Sequence, residues 1–252
     1  MLATIIVLSI LVVLLITYVI LVSLQKKKDT DKAYKKGADD LFSAILANGW
    51  KKKVNDFNEY NKCVNKGGII FVGDSLTDNY NVYEYYKGYD VYNRGIGGDT
   101  TIGLLKRMNE SVYDLKPSIV VLLIGINDFE LVENSTPETI YQNISKIVSE
   151  IHKNLPDTKI ILESLYPVNK SDNFKINQPS VMRKSNSKIN EVNEKIKDIP
   201  GVYYLNIHNL LLDDNKELKI EYTMEGLHVN TFGYHFVTKI IKDKIEEIKH
   251  EA

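Results

Sequence analysis

The chain is predicted to be an α/β protein: a three-layer α/β/α sandwich on a five-stranded parallel sheet, preceded by one N-terminal transmembrane helix. Three observations carry this. Short apolar, β-branched runs alternate with helical patterns along most of the chain. One run, Ile119-Val120-Val121-Leu122-Leu123-Ile124, is apolar on both faces, as a strand must be when helices cover both sides of its sheet. Leu2 to Leu24 contains no charged residue and is dominated by Leu, Ile and Val.

At a rise of about 1.5 Å per residue the Leu2–Leu24 run reaches about 34 Å, enough for the hydrocarbon core of a bilayer. A cleaved signal peptide would need a basic start, a shorter apolar run and a small-x-small site. Val22-Ser23-Leu24 supplies none of these, so the segment reads as an uncleaved anchor over residues 1–25. Lys26-Lys27-Lys28 follows it, and the positive-inside rule places that side, with the domain, in the cytoplasm. Residues 26–40 are charged and poor in apolar side chains, and read as a tether with a helical start near Tyr34. The domain proper is assigned to 41–252. Leu41, Ile45, Leu46, Trp50, Val54 and Phe57 recur at helical spacing, which predicts one or two helices packed on the sheet before its first strand. Strands are expected at Gly68–Val72, Tyr89–Tyr92, Ser118–Ile124, Lys159–Leu165 and Val202–Ile207. Helices between and after them are expected near Thr101–Met108, Pro137–Lys153, Arg183–Lys197 and Thr231–Ile248.

Composition narrows the function classes. Of 252 residues 44% are hydrophobic and 26% charged, so a full core can be buried. A formal net charge of −1 argues against a broadly basic nucleic-acid surface, and no nucleic-acid-binding motif is present. The single cysteine, Cys63, excludes an intramolecular disulfide framework and a multi-cysteine zinc site.

Polar residues suited to chemistry gather in short stretches at the carboxyl ends of expected strands or in loops on that side, the edge where open α/β sheets place their sites. Gly73-Asp74-Ser75-Leu76-Thr77 leaves the first strand, where a tight turn can expose a hydroxyl beside free backbone N–H groups. Alone, it reads equally as a turn with a helix cap. Asn93-Arg94-Gly95-Ile96-Gly97-Gly98-Asp99-Thr100-Thr101 follows the second strand, with glycines where backbone can approach a ligand and a threonine able to cap the next helix. Gly125-Ile126-Asn127-Asp128 follows the third, and Glu225-Gly226-Leu227-His228 precedes the last helix.

In order and type these stretches resemble the blocks of the SGNH hydrolases, also called the GDSL esterase/lipase family, over about residues 67–246. The resemblance implies a flavodoxin-like sandwich. It implies Ser75 as nucleophile, His228 as base, and an oxyanion hole made by the Ser75 and Gly98 N–H groups with the Asn127 side chain. It calls for no metal and no organic cofactor. The residues agree independently. A serine hydroxyl needs a base within hydrogen-bond reach, and His228 is the best placed of five histidines. His152 and His235 fall in expected helices, His208 ends the expected fifth strand, and His250 lies in the tail.

Glu225 departs from the family pattern, which has aspartate three residues before the histidine. Either the longer side chain reaches the imidazole, or it points to solvent and a backbone carbonyl partners His228. Asp74 and Asp128 are expected to bond nearby backbone N–H groups. A metal site from Asp74, Asp78, Asp99 and Asp128 lacks a recognised spacing. The Tyr80–Tyr86 stretch is expected to pack or to flank substrate, and the loop from Pro167 to Pro179 to shape specificity.

The expected protein is therefore a membrane-anchored serine esterase cleaving a small acyl group, with acetyl first, from a carbohydrate or lipid. The alternatives are a lysophospholipase or thioesterase-type acyl hydrolase, and a binding module for acylated ligands should Glu225 leave His228 unsupported. Its expected partners are an ester substrate and, through the N-terminal helix, a membrane.

Overall fold

The computed structural model describes residues Met1–Glu251, and the chain divides into two compact units, one up to Asn48 and one from Gly49 onward. Helix α1 (Leu2–Tyr60) supplies all of the first unit beyond Met1 and opens the second. It is long and apolar enough near the N-terminus to cross a membrane, a property shared by membrane spans and signal sequences. Residues 26–40, expected as a tether, are helical. They contain no proline and a single glycine, Gly37, so nothing in the local sequence stops the helix.

The second unit then runs β1 (Ile69–Gly73), α2 (Ser75–Asp78), α3 (Val82–Tyr85), β2 (Val91–Gly95), α4 (Thr101–Lys106), α5 (Met108–Ser111) and β3 (Ile119–Leu123). It continues through α6 (Asp128–Leu131), α7 (Pro137–Asn154), β4 (Lys159–Glu163), α8 (Gln178–Val181), α9 (Asn186–Ile196), β5 (Val202–Leu205), α10 (Ile207–Leu211) and α11 (Thr231–Glu251). The five strands are parallel in the order β2-β1-β3-β4-β5. Gly73, the last residue of β1, is level with Gly95 on β2 and Leu123 on β3. The chain winds to opposite sides of β1 for its next two strands, so a crevice opens at the carboxyl ends of these three.

Local sequence explains the helices that flank the sheet. Thr136 and Thr139 form a capping box with Pro137 in the first turn, and Ile140, Ile144, Ile147, Val148 and Ile151 present one buried face of α7. Each such aliphatic contributes about 1.5–3 kcal/mol by leaving water. Asn230 Oδ1 accepts from the N–H groups of Phe232 and Gly233 and caps α11, which buries Val237, Ile241, Ile245 and Ile248.

Three expectations need correction. β2 lies at Val91–Gly95, not Tyr89–Tyr92. Asn93 and Arg94 look like loop residues, yet Asn93 donates to the carbonyls of Thr77 and Tyr80, and Arg94 packs its guanidinium against Phe57 and Tyr92. Only the end of the early helical pattern is buried: Leu41 and Ile45 are exposed, while Val54 and Phe57 are buried with Ile96 and flanked by Trp50, in a cluster separate from the main core. His208 lies in α10 rather than at the end of β5. Its backbone N–H donates to Ser164 Oγ, and burial pushes its imidazole pKa down.

Candidate active site

Ser75 is the first residue of α2, immediately beyond β1. Asp74 caps the helix by accepting from Leu76 N–H at 2.9 Å, which turns the chain sharply at the strand end and leaves Ser75 half-buried at the crevice. The turn depends on glycine at the neighbouring strand ends. A Cβ on Gly73 would stand 2.1 Å from the Leu123 carbonyl oxygen, and one on Gly95 would stand 2.2 Å from Asp78 N, so α2 could not pack as close.

Ser75 Oγ lies 2.9 Å from His228 Nε2, and His228 Nδ1 lies 2.7 Å from Glu225 Oε1. The longer acid therefore reaches the ring, and the solvent-facing alternative does not hold. The same oxygen accepts from His228 N–H at 3.1 Å, which folds the glutamate back over its own turn. Burial pushes the Glu225 carboxyl up, but hydrogen bonds and charge from His228 outweigh it and hold it below the usual range. The turn is pinned from several sides. Thr223 Oγ1 accepts from Gly226 N–H and donates to the His228 carbonyl, and Met224 N–H bonds the same carbonyl. Asn169 N–H donates to the Gly226 carbonyl and Asn177 N–H to the Glu225 carbonyl, each at 2.8 Å. The loop from Pro167 to Pro179, read as a shaper of specificity, thus also braces the acid.

Gly98 and Asn127 follow β2 and β3, on either side of the serine. Gly98 has φ +73°, a left-handed conformation that favours glycine. Asn127 is buried and its amide donates to the Asp99 carbonyl oxygen at 3.0 Å, leaving a second N–H on the same nitrogen.

Asp99 ties this region together. Its carboxylate accepts from Arg107 Nε at 2.7 Å, from Thr100 N–H at 2.9 Å and from Trp50 Nε1 at 3.1 Å. Arg107, fully buried, also donates to the carbonyls of Gly73 and Arg94 and to Ser111 Oγ, so one guanidinium joins the ends of β1 and β2 to the Gly98 loop. Sequence reasoning missed Arg107, Trp50 and this use of Asp99. The one available signal was that Arg107 stands three residues after Leu104 and just before Met108, at positions where a helical pattern turns inward.

Asp128 accepts from the N–H and hydroxyl of Thr101, and Asp78 accepts from Gly97 N–H and pairs with Lys53. The four aspartates therefore serve loops, and no group of three or more potential metal ligands is found among the described residues. Tyr80 and Tyr86 are core residues, Tyr80 stacking on Tyr234 with centroids 4.7 Å apart. Tyr85 instead lines a cleft of 490 Å³ with Asn79, Asn81, Glu84, Met224, Val229, Asn230, Thr231 and Tyr234, residues that flank the serine helix and the His228 turn in sequence.

Residues 71–236 match the model of the GDSL-like lipase/acylhydrolase family. The chain is 33% identical over 129 residues to the platelet-activating factor acetylhydrolase IB subunit beta homolog of Drosophila melanogaster, covering 49% of this chain and 52% of that protein. It is 24% identical over 229 residues to the N-acylneuraminate cytidylyltransferase of Escherichia coli O18:K1:H7, covering 90% of this chain and 48% of that one. The chain thus spans about half the length of these curated relatives. Among solved structures, a putative platelet activating factor from Streptococcus pneumonia superposes with a TM-score of 0.76 at 29% identity, over 82% of this chain and 97% of that one. A GDSL-like lipase from Bacteroides thetaiotaomicron shares the fold with a TM-score of 0.68 at 23% identity, over 77% and 98% of the two chains. The chain belongs to the GDSL-like lipase/acylhydrolase family.

Proposed function

We propose that this protein is a membrane-anchored serine esterase that removes a small acyl group, acetyl first, from an oxygen of a carbohydrate. The observation that carries the reading is the hydrogen-bonded chain Ser75 Oγ, His228 Nε2, His228 Nδ1, Glu225 Oε1, with contacts of 2.9 and 2.7 Å. His228 takes the Ser75 proton as Oγ attacks the ester carbonyl, and the new C–O bond gives a tetrahedral oxyanion. The Ser75 and Gly98 N–H groups and the Asn127 amide stabilise that charge. The imidazolium, held by Glu225, returns the proton to the leaving alcohol as the ester C–O bond breaks, leaving an acyl-Ser75 ester. Water, deprotonated by the same histidine, then releases the carboxylic acid and restores the serine.

One observation favours a sugar ester over a lipid. The cleft carries three asparagines, a glutamate and two tyrosines against Met224 and Val229, a mixture that suits hydroxyl groups and ring faces better than a long chain. One relative is named for a platelet-activating factor acetylhydrolase, which supports acetyl as the acyl group. The apolar run at the start of α1 serves as the anchor, with the domain on the side of Lys26-Lys27-Lys28.

The test is hydrolysis of p-nitrophenyl acetate, butyrate, octanoate and palmitate by the full-length protein in detergent, beside an acetylated xylo-oligosaccharide, a lysophospholipid and the Ser75→Ala variant. Turnover that is highest on acetates and lost in Ser75→Ala is expected. A rate that rises towards octanoate, or lysophospholipid cleavage above sugar deacetylation, would replace the substrate class. No Ser75-dependent turnover and no fluorophosphonate labelling would remove the enzymatic reading of this site.

A further inference from the structure

The segment Trp50–Asn61, the end of α1 and the residue after it, has no part in the chemistry described above, yet it holds the loop that carries Gly98 at Ile96 and Asp99 and, through Asp78, at Gly97. Trp50, Val54 and Phe57 enclose Ile96 in an apolar cluster separate from the main core. Lys53 Nζ lies 2.6 Å from Asp78 Oδ1, and the other oxygen of Asp78 accepts from Gly97 N–H at 3.1 Å. Trp50 Nε1 donates to Asp99 Oδ1 at 3.1 Å, and Asn61 Oδ1 accepts from Arg94 Nη2 at 2.8 Å. Gly98 is therefore bracketed: the residue before it is held through Asp78 and Lys53, the residue after it through Trp50. Asp99 in turn offers its carbonyl to the Asn127 amide at 3.0 Å, so two of the three oxyanion donors are set by one short stretch of backbone.

We infer that Trp50 and Lys53 are positioning residues for the oxyanion hole, and that the end of the N-terminal helix is a working part of the active site. The inference rests on the roles proposed for Gly98 and Asn127. Glycine at a positive φ is where a loop of this kind would relax most easily, because a neighbouring backbone conformation lies close in energy. A donor displaced by a fraction of an ångström still binds substrate but stabilises the transition state less, so the loss should fall on kcat.

Trp50→Phe keeps an aromatic ring against Ile96 and removes the indole N–H. Lys53→Met keeps the stem and removes the partner of Asp78. In full-length protein with p-nitrophenyl acetate, each is expected to lower kcat about tenfold with KM changed less than about twofold, below the about 10²–10³ expected for losing a donor outright. In an Asn127→Ala background Trp50→Phe should cost less than about threefold, because the hole is already broken. Hydrogen–deuterium exchange of residues 94–101 should quicken in both variants. Unchanged kcat in both, or the same factor with and without Asn127, would overturn the inference. Should the wild type show no Ser75-dependent turnover, the site reading fails on its own, and unchanged exchange across 94–101 would separately refute the bracing. Should Trp50→Phe fold poorly, Lys53→Met, on a partly exposed position, carries both measurements.

Discussion

Replacing Glu225 by glutamine tests the departure from the family pattern most directly. The carboxylate oxygen lies 2.7 Å from Nδ1, with side-chain exposures of 22% for Glu225 and 28% for His228. As His228 takes the Ser75 proton it carries a full positive charge, so the charge–charge attraction gained in that step belongs to the transition state. At an effective dielectric constant near 20 two unit charges about 4 Å apart attract by about 4 kcal/mol. Partial exposure screens this, and about 2–3 kcal/mol is a fair share to expect. At about 1.4 kcal/mol per tenfold, that is about 30–150-fold in rate. A second effect adds to it. Glutamine can turn its NH₂ towards Nδ1, which places the imidazole proton on Nε2 and leaves no lone pair there for the serine hydroxyl. Together the loss in kcat on p-nitrophenyl acetate should reach about 10²–10³, with KM within about threefold. Glu225→Asp, one methylene shorter, should fall between the two enzymes, because its carboxylate must draw the turn inward to regain the contact. A Gln variant within about fivefold of wild type would refute the reasoning and leave Glu225 as a brace for the turn.

Asn127→Ala removes one oxyanion donor, and kcat should drop about 10²–10³ with little change in KM, read by steady-state kinetics on the same ester. Arg107→Met leaves Asp99 buried without its counter-charge, a loss of about 3–5 kcal/mol that should lower the melting temperature by at least about 6 °C in a calorimetric scan. Glu163 is fully buried, accepts from Tyr166 at 2.5 Å, and burial pushes its carboxyl up to about 7 from 4.5. A raised carboxyl favours folding below its unfolded value, and that contribution is lost as pH rises from about 4.5 through 7. Glu163→Gln should therefore gain stability relative to wild type across that interval, by up to about 3 kcal/mol, in urea titrations at pH 5 and pH 8 followed by Trp50 fluorescence. An equal difference at the two pH values would count against it.

The stretches that hold Ser75, Gly98 and Asn127 were legible because each follows a run whose periodicity identifies a strand, and strand ends are where parallel sheets expose polar groups. Ser75, Gly98 and Asn127 lie in such stretches, and their proposed roles come from the family resemblance that those stretches carry. The resemblance also pointed to His228, which the comparison of the five histidines supported, and the structure brings its Nε2 to Ser75 Oγ from 153 residues away in sequence. What escaped was what side-chain partners decide. Asn93 and Arg94 hid the end of β2, since their polarity reads as loop until the carbonyls and rings that satisfy them are known. The helix through residues 26–40, where only a helical start near Tyr34 was expected, escaped for the converse reason: a charged stretch without proline is compatible with both coil and helix, and local composition alone does not separate them. Arg107 and Trp50 escaped because both act on Asp99, and no periodicity records a contact spanning 49 residues.

The buried carboxylates behind the serine explain how the loops hold their shape. Asp74, Asp99 and Asp128 each follow a strand end closely; Asp74 and Asp99 accept from a backbone N–H at the start of the next element, Leu76 and Thr100, and Asp128 accepts from Thr101 N–H at the start of α4. A carboxylate there fixes the turn more firmly than a neutral cap, because charge strengthens the hydrogen bond. Burial makes the charge expensive, and the three sites meet that cost differently. Asp99 has Arg107, whose guanidinium also draws the ends of β1 and β2 together. Asp128 has the Thr101 hydroxyl and rises only to about 6. Asp74 has one backbone N–H, its second oxygen has no partner among the described residues, and burial pushes it up to about 7. The least compensated carboxylate thus adjoins the nucleophile. An ionised Asp74 favours the imidazolium of His228 and opposes the oxyanion on Ser75, whereas a protonated one does neither, so the rate near neutrality should reflect the balance of these two effects. Asp74→Asn fixes the neutral form while keeping an acceptor for Leu76. A pH profile of kcat flatter between pH 6 and 8 than that of wild type would place Asp74 among the groups that set it, and an unchanged profile would confine Asp74 to the turn.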